Sequence, residues 1–244
     1  LSPAATFIAY NYNTPVDAAA FEREAKRILK EVEQECGWMY ETWHPNCDDP
    51  NRVKGKINYT VWSDVFVCPN CGQEIVFWNL AVDHEKGVIR DVWNCSNCGT
   101  LLAKSPRKNS GALKTEHAWD NYFDIETKQS VRLAKQVPVL INYSVGKKRF
   151  EKEPDLADFE LIRKIDKKEI AYPIPTGQIP KGDKTSDPFN LGITHVHHFY
   201  TKRNLSIIAY IQNFIKFTNL STKNKDLLMF ILSSYNMAHS TKMT

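Results

Sequence analysis

The chain has 244 residues, a net charge of +4 and a pI near 8.6. Hydrophobic residues make up 42% and charged residues 25%, which excludes a disordered chain and allows one large domain or two smaller ones. No apolar run approaches the ~20 residues of a membrane helix, and the mild basicity permits a nucleic-acid partner without requiring one.

The first helical signal comes at once. Ser2 is an N-cap residue and Pro3 suits the first helical position, so a helix is predicted to about Tyr10 or Tyr12. Thr14-Pro15-Val16-Asp17 opens a second helix. Phe21, Ala25, Ile28, Leu29 and Val32 form its apolar stripe, and Gly37 is placed to end it. Glu22, Arg23, Lys26, Arg27, Lys30 and Glu31 lie opposite and read as a solvated face.

Aromatic and β-branched residues then predict strands over 38–43 and 57–67, the second leading straight into Cys68. Further strands are predicted over 74–80 and 88–93, with a turn at Asp83-His84-Glu85-Lys86-Gly87 between them. Leu101 and Leu102 close this region, and Ser105 to Gly111 is a basic, turn-rich link. A long strand is predicted over 131–143, with Pro138 marking an edge or a bulge. Gly146-Lys147-Lys148-Arg149 is a basic turn. Residues 154–168 form a short helix with Leu156, Phe159, Ile162 and Ile165 on one side. Residues 173–188 hold four prolines and two glycines and read as loop. Two helices rich in Leu, Ile and Phe follow, over 201–217 and 225–238.

The chemistry is concentrated in two matched knuckles, Cys68-Pro69-Asn70-Cys71-Gly72 and Cys95-Ser96-Asn97-Cys98-Gly99. A two-residue spacer lets both thiolates of a knuckle face one ion, and the glycine permits the tight turn. The 23 residues between Cys71 and Cys95 leave room for a hairpin that brings one knuckle over the other. Cys68, Cys71, Cys95 and Cys98 therefore predict a structural zinc ribbon with four sulfur ligands, in preference to two disulfides or four free thiols. Thiols held for a metal imply a reducing compartment, and the chain is expected in the cytoplasm.

Three segments resemble a group of bacterial and phage DNA methylases: Leu1 to Asn13, Glu35-Cys36-Gly37-Trp38-Met39-Tyr40-Glu41-Thr42, and Gly192 to His195 with Phe199-Tyr200-Thr201-Lys202-Arg203-Asn204-Leu205. An inserted four-cysteine ribbon is also similar to that group. The resemblance implies a Rossmann-like enzyme that moves a methyl group from S-adenosylmethionine to an exocyclic base nitrogen, adenine N6 in preference to cytosine N4, with the base flipped from the stack. It implies a restriction–modification or phage setting, DNA as partner and a possible partner endonuclease. Ser2 and Pro3 would lie near the cofactor. The family's glycine-rich cofactor loop and Asp-Pro-Pro-aromatic motif do not occur here, so the chain is expected to be an internal fragment, inactive alone. The implied fold class is α/β, with partial Rossmann-like elements in the terminal helices and a β-rich ribbon inserted between them. The implied layout is helices of the catalytic domain over 1–37, the ribbon over 38–110, an α/β insertion and linker over 111–190, and a helical return over 191–244.

Other candidates weigh less. Lys202, Arg203 and Asn204 open a helix, where cations oppose the macrodipole unless an anion such as a DNA phosphate sits there. Lys104, Arg107 and Lys108 beside the ribbon are candidates for DNA as well. His195, His197 and His198 lack an evident third ligand and read as packing. Cys36, His44 and Cys47 fit no common zinc spacing. A non-catalytic zinc-ribbon adaptor for nucleic acid or protein is the competing reading. A nuclease or helicase fragment would need an acidic metal cluster or a phosphate-binding loop, and the sequence has neither.

Overall fold

A computed structural model describes residues 2–83 and 86–239. Its helices are α1 (Pro3–Asn13), α2 (Ala18–Cys36), α3 (Phe77–Ala81), α4 (Leu156–Lys167), α5 (Ser186–Asn190), α6 (Lys202–Phe217) and α7 (Thr222–His239). Its strands are β1 (Glu41–His44), β2 (Val53–Val67), β3 (Glu74–Val76), β4 (Val82–Asp83), β5 (Val88–Ile89), β6 (Trp93–Asn94), β7 (Leu101–Ala103), β8 (Leu113–Lys114), β9 (Glu116–His117), β10 (Trp119–Asp124), β11 (Gln129–Ala134), β12 (Gln136–Val145) and β13 (Lys148–Lys152). The chain is thus a mixture of helix and sheet. No helix among the described residues is long and apolar enough to cross a membrane.

Two compact units divide the chain. The helical unit takes Leu1–Trp43, Leu156–Gln178 and His195–Thr244, and the β-rich unit takes His44–Asp155 and Ile179–Thr194. This division runs at 43 and 194 where the expected layout has 37 and 190, and it adds residues 156–178, expected in the insertion, to the helical unit, where α4 packs against α6.

In the helical unit α2 is capped as its sequence requires: the Asp17 carboxylate accepts from the Ala20 N–H at 3.0 Å. Its stripe delivers Ile28, Val32 and Cys36 to a core shared with Ile215 and Leu228. Leu29 is left 60% exposed, at the edge of the stripe. The charged face forms its own network, Lys26 with Glu22 and Arg27 with Glu24 and Glu31. Gly37 does not use a left-handed conformation. It keeps helical angles and leads into a 3-10 turn over Gly37–Tyr40, so only Glu41–His44 of the strand predicted over 38–43 is extended.

The β-rich unit is organised by β2, 15 residues long. Its first part pairs antiparallel with β12, and its last residues pair with β3 and β9. β12 also pairs with β13 through a two-residue turn at Gly146-Lys147. The long strand predicted over 131–143 is two strands, β11 paired with β10 and β12 paired with β2. Pro138 marks a register shift in β12, the bulge expected of a proline inside a sheet. The strand predicted over 74–80 stops after three residues and becomes α3. The turn predicted at 83–87 includes His84 and Glu85, which lie outside the described residues.

Among the glycines with left-handed backbones, Gly111 and Gly192 have opposite surroundings. At Gly111 (φ 70°) an added Cβ meets nothing within 4 Å, whereas at Gly192 (φ 80°) it would lie 1.9 Å from the carbonyl oxygen of Arg132. Gly111→Ala is therefore expected to cost about 1–2 kcal/mol, the penalty of that backbone for an L residue. Gly192→Ala is expected to cost ~2 kcal/mol more, because backbone must move. Urea unfolding of the two variants checks the order, and equal losses would refute the close approach.

Candidate metal centre

The two knuckles adopt the same backbone. The Gly72 N–H donates to the Cys68 carbonyl and the Cys68 N–H to the Gln73 carbonyl, both at 2.9 Å. In the second knuckle the Gly99 N–H donates to the Cys95 carbonyl and the Cys95 N–H to the Thr100 carbonyl, again at 2.9 Å. Gly72 and Gly99 have φ of 73° and 71°, the region where glycine carries no penalty. β2 and β3 hold the first knuckle, and β6 and β7, antiparallel partners, hold the second.

All four sulfurs lie within 4.8 Å of one another. Cys68 Sγ is 3.7 Å from Cys98 Sγ, and Cys71 Sγ is 3.8 Å from Cys95 Sγ. A disulfide needs about 2.05 Å, so these are not disulfides. A tetrahedron with metal–sulfur distances of about 2.3 Å has edges of about 3.8 Å. The four cysteines therefore form a site that can hold a metal ion and that is compatible with zinc.

One cysteine of each knuckle points inward. Cys68 and Cys95 are buried in a small core with Ile75, Ala81, Trp93 and Leu102, backed by Phe77 and Leu80. Cys71 and the outer sulfur of Cys98 face the surface. Burial pushes the Cys68 thiol up to about 11. The Thr100 hydroxyl, helped by Asn70 and the Thr100 backbone, brings Cys98 down to about 5. The Asn97 side chain lowers Cys71. Asn70 also donates to the Thr100 hydroxyl at 3.0 Å, tying one knuckle to the other.

The remaining expected site residues are placed as follows. Lys104 sits 3.9 Å above the Phe77 ring and 3.3 Å from an Asp64 carboxylate oxygen. Arg107 pairs with Asp91 at 2.6 Å, both well exposed, and Lys108 is exposed. Ser2 and Pro3 are exposed at the start of α1, and the Ser2 hydroxyl makes no capping bond. The Thr201 hydroxyl caps α6 by accepting from the Asn204 N–H at 3.3 Å. Lys202 donates to the Asp166 carbonyl at 2.8 Å, in the last turn of α4. The cation that conflicts with the start of α6 thus complements the end of α4. Arg203 lies 5.2 Å from the centre of the Tyr40 ring, and Tyr40 donates to the Asn204 side chain at 2.8 Å. Burial lowers the Arg203 guanidinium and raises the Tyr40 hydroxyl.

His195 has an extended backbone, and His197 and His198 lie in the turn that follows it. His195 caps a 3-10 turn over Val196–Phe199. The His197 and His198 rings are buried, 4.3 Å apart, with His195 at 5.7 and 5.3 Å. Cys36 lies in the helical core and His44 bonds to the Tyr143 hydroxyl at 2.7 Å. The Cys47 N–H donates to Asp155.

No family model, curated protein or solved structure matches the chain.

The thiol environments fix how metal binding responds to pH. Hydrogen bonds from Thr100 and Asn70 favour the Cys98 thiolate, whereas burial favours the protonated Cys68 thiol, whose proton a metal would have to displace. Lowering pH restores the protonated competitor, so apparent zinc affinity should fall by about tenfold per pH unit for each displaced proton. The fall should steepen near pH 5, where Cys98 also protonates. Competition with a chromophoric chelator between pH 8 and 5 measures this, and a flat profile would exclude thiolate ligation.

Proposed function

We propose that this chain is part of an S-adenosylmethionine-dependent DNA methyltransferase acting on adenine N6, with zinc as the structural metal of its ribbon. The observation that carries the reading is the meeting of two segments that resemble the DNA methylases. They are more than 150 residues apart in sequence, yet Tyr40 of one bonds to Asn204 of the other and carries Arg203 on its ring. A chain in which a ribbon-bearing segment interrupts a catalytic domain must rejoin its two parts in this manner. The β-rich unit has its own sheet and small core, as an inserted segment requires.

Zinc bound by Cys68, Cys71, Cys95 and Cys98 would tie the knuckles together, and four sulfur ligands leave no position for a catalytic water. Of the cofactor site the chain carries Ser2 and Pro3 alone. The glycine-rich loop and the Asp-Pro-Pro-aromatic motif are absent from the sequence, so no step of methyl transfer is assigned to residues of this chain. Arg203 and Asn204 hold the α6 start against Tyr40, a positioning role within the helical unit. The reading fits a restriction–modification or phage enzyme of the cytoplasm, with a partner endonuclease in the first case.

A second reading draws on the self-contained metal centre: a ribbon of this kind also serves as a non-catalytic adaptor for nucleic acid or protein. Methyl transfer separates the two. The parent protein, incubated with DNA and labelled S-adenosylmethionine, is expected to place label on adenine N6, and the 244-residue chain alone is expected to place none. Absence of transfer by the parent protein would leave the adaptor reading. Transfer by the isolated chain would overturn the assignment of its missing motifs.

A further inference from the structure

The positive charge of this chain has a location that neither the ribbon nor the α6 start accounts for. Segments 52–58 and 144–149 hold six cationic side chains, Arg52, Lys54, Lys56, Lys147, Lys148 and Arg149, and no acidic one. The whole chain has a net charge of only +4, so everything outside these two segments is net acidic. The sheet brings the two segments together. Lys56 stands opposite Ser144 on β12, and Ser144 stands opposite Arg149 on β13.

Strand alternation then sorts the side chains by face. Gly55 and Ile57 are buried on one face, with Tyr143 filling the space over Gly55. His44 and Phe150 pack against Tyr143 on that side. Lys54, Lys56 and Arg149 belong to the other face and are exposed. Asn58 is an extra residue in β2: Ile57 pairs with Tyr143 and Tyr59 with Asn142. This bulge moves Tyr59 from the buried face to the cationic one, where it is 52% exposed. Asn58 bridges the Asn142 and Ser144 side chains at 2.9 Å and fixes the bulge. On the same face Glu151 accepts from Asn142 at 3.0 Å.

We propose that this outer face of the β2–β12–β13 sheet binds a DNA strand, with Lys54, Lys56, Lys147 and Arg149 along its phosphates and Tyr59 stacked on an unpaired base. Charge complementarity selects the backbone, and an aromatic ring beside a row of cations is the arrangement that holds single strands without sequence preference. The proposal extends the methyltransferase reading, whose chemistry requires a base taken out of the stack, but it does not depend on methyl transfer.

The test is fluorescence anisotropy of a labelled single-stranded oligonucleotide on the zinc-loaded chain, without S-adenosylmethionine, across a salt series. Lys56→Ala with Arg149→Ala should weaken binding about tenfold or more at low salt and make the slope of log affinity against log salt shallower by about 1.4, two phosphate contacts' worth. Tyr59→Ala should weaken binding while leaving the slope unchanged. Arg107→Ala with Lys108→Ala should leave both unchanged. Should the double sheet variant fold poorly, Lys147→Ala in the exposed turn must still lower the slope by about 0.7. Unchanged affinity and slope in the sheet variants, or equal loss in the ribbon variant, overturns the proposal, as does preference for duplex that ignores Tyr59. DNA binding without methyl transfer by the parent protein would remove the enzyme reading alone. Methyl transfer with unaltered binding by the sheet variants would remove this one alone.

Discussion

Four sulfurs within 4.8 Å of one another can all be thiolates only around a cation. Like charges at that separation repel strongly wherever water is scarce, and two of these sulfurs are buried. The core beside them is small: Ile75, Ala81, Trp93 and Leu102, backed by Phe77 and Leu80. So few apolar side chains do not by themselves offset the entropy of ordering a segment of this length. With a metal bound at these sulfurs, metal–thiolate bonding and the folding of the ribbon would be one equilibrium, in which binding free energy is folding free energy. The long strand β2 extends that constraint. It enters the first knuckle at Cys68 and also pairs with β12 along its earlier residues, so the metal centre and the main sheet share one backbone.

Legibility in the sequence followed the range of the interactions. The knuckles were readable because everything that shapes them lies within six residues: two sulfurs, a glycine and two backbone hydrogen bonds. The caps of α2 and α6 were readable for the same reason, since Asp17 and Thr201 act three residues ahead. The break at Phe77 was not readable. Residues 74–80 are rich in aromatic and β-branched side chains, but the Ser63 hydroxyl accepts from the Trp78 N–H, and that partner comes from β2. The split of the strand predicted over 131–143 has a similar origin, because β11 and β12 answer to different partners. The unit boundary was missed because α4 joins the terminal helices through packing against α6, a contact with no local signature.

Charge was the least legible property of all. In sequence the Lys-Arg-Asn box and the Lys104–Lys108 stretch look like phosphate ligands, and the lysines of β2 carry no such signal. Folding changes each environment. Lys202 finds the carbonyl end of α4, Arg203 finds the Tyr40 ring, and Lys104 lies over Phe77. Each contact gives the cation a partner within the protein. The cations of β2 and β13 are aligned by register, because cross-strand neighbours share a face.

That alignment bears on how ribbon and sheet divide their labour. Four sulfur ligands around a metal ion would give the ribbon rigidity and leave no open position, and two of the cations beside it, Lys104 and Arg107, face Asp64 and Asp91. The sheet end has charge, an exposed ring and a bulge that aims it. The bulge is the telling feature, since an extra residue disrupts the ladder of hydrogen bonds and without it Tyr59 would fall on the face that Ile57 and Tyr143 occupy. Bulges re-aim side chains at functional edges. In this unit the four-cysteine site lies at one end of β2, and the bulge and the cations lie toward the other, so a metal bound there would brace the same strand that carries them.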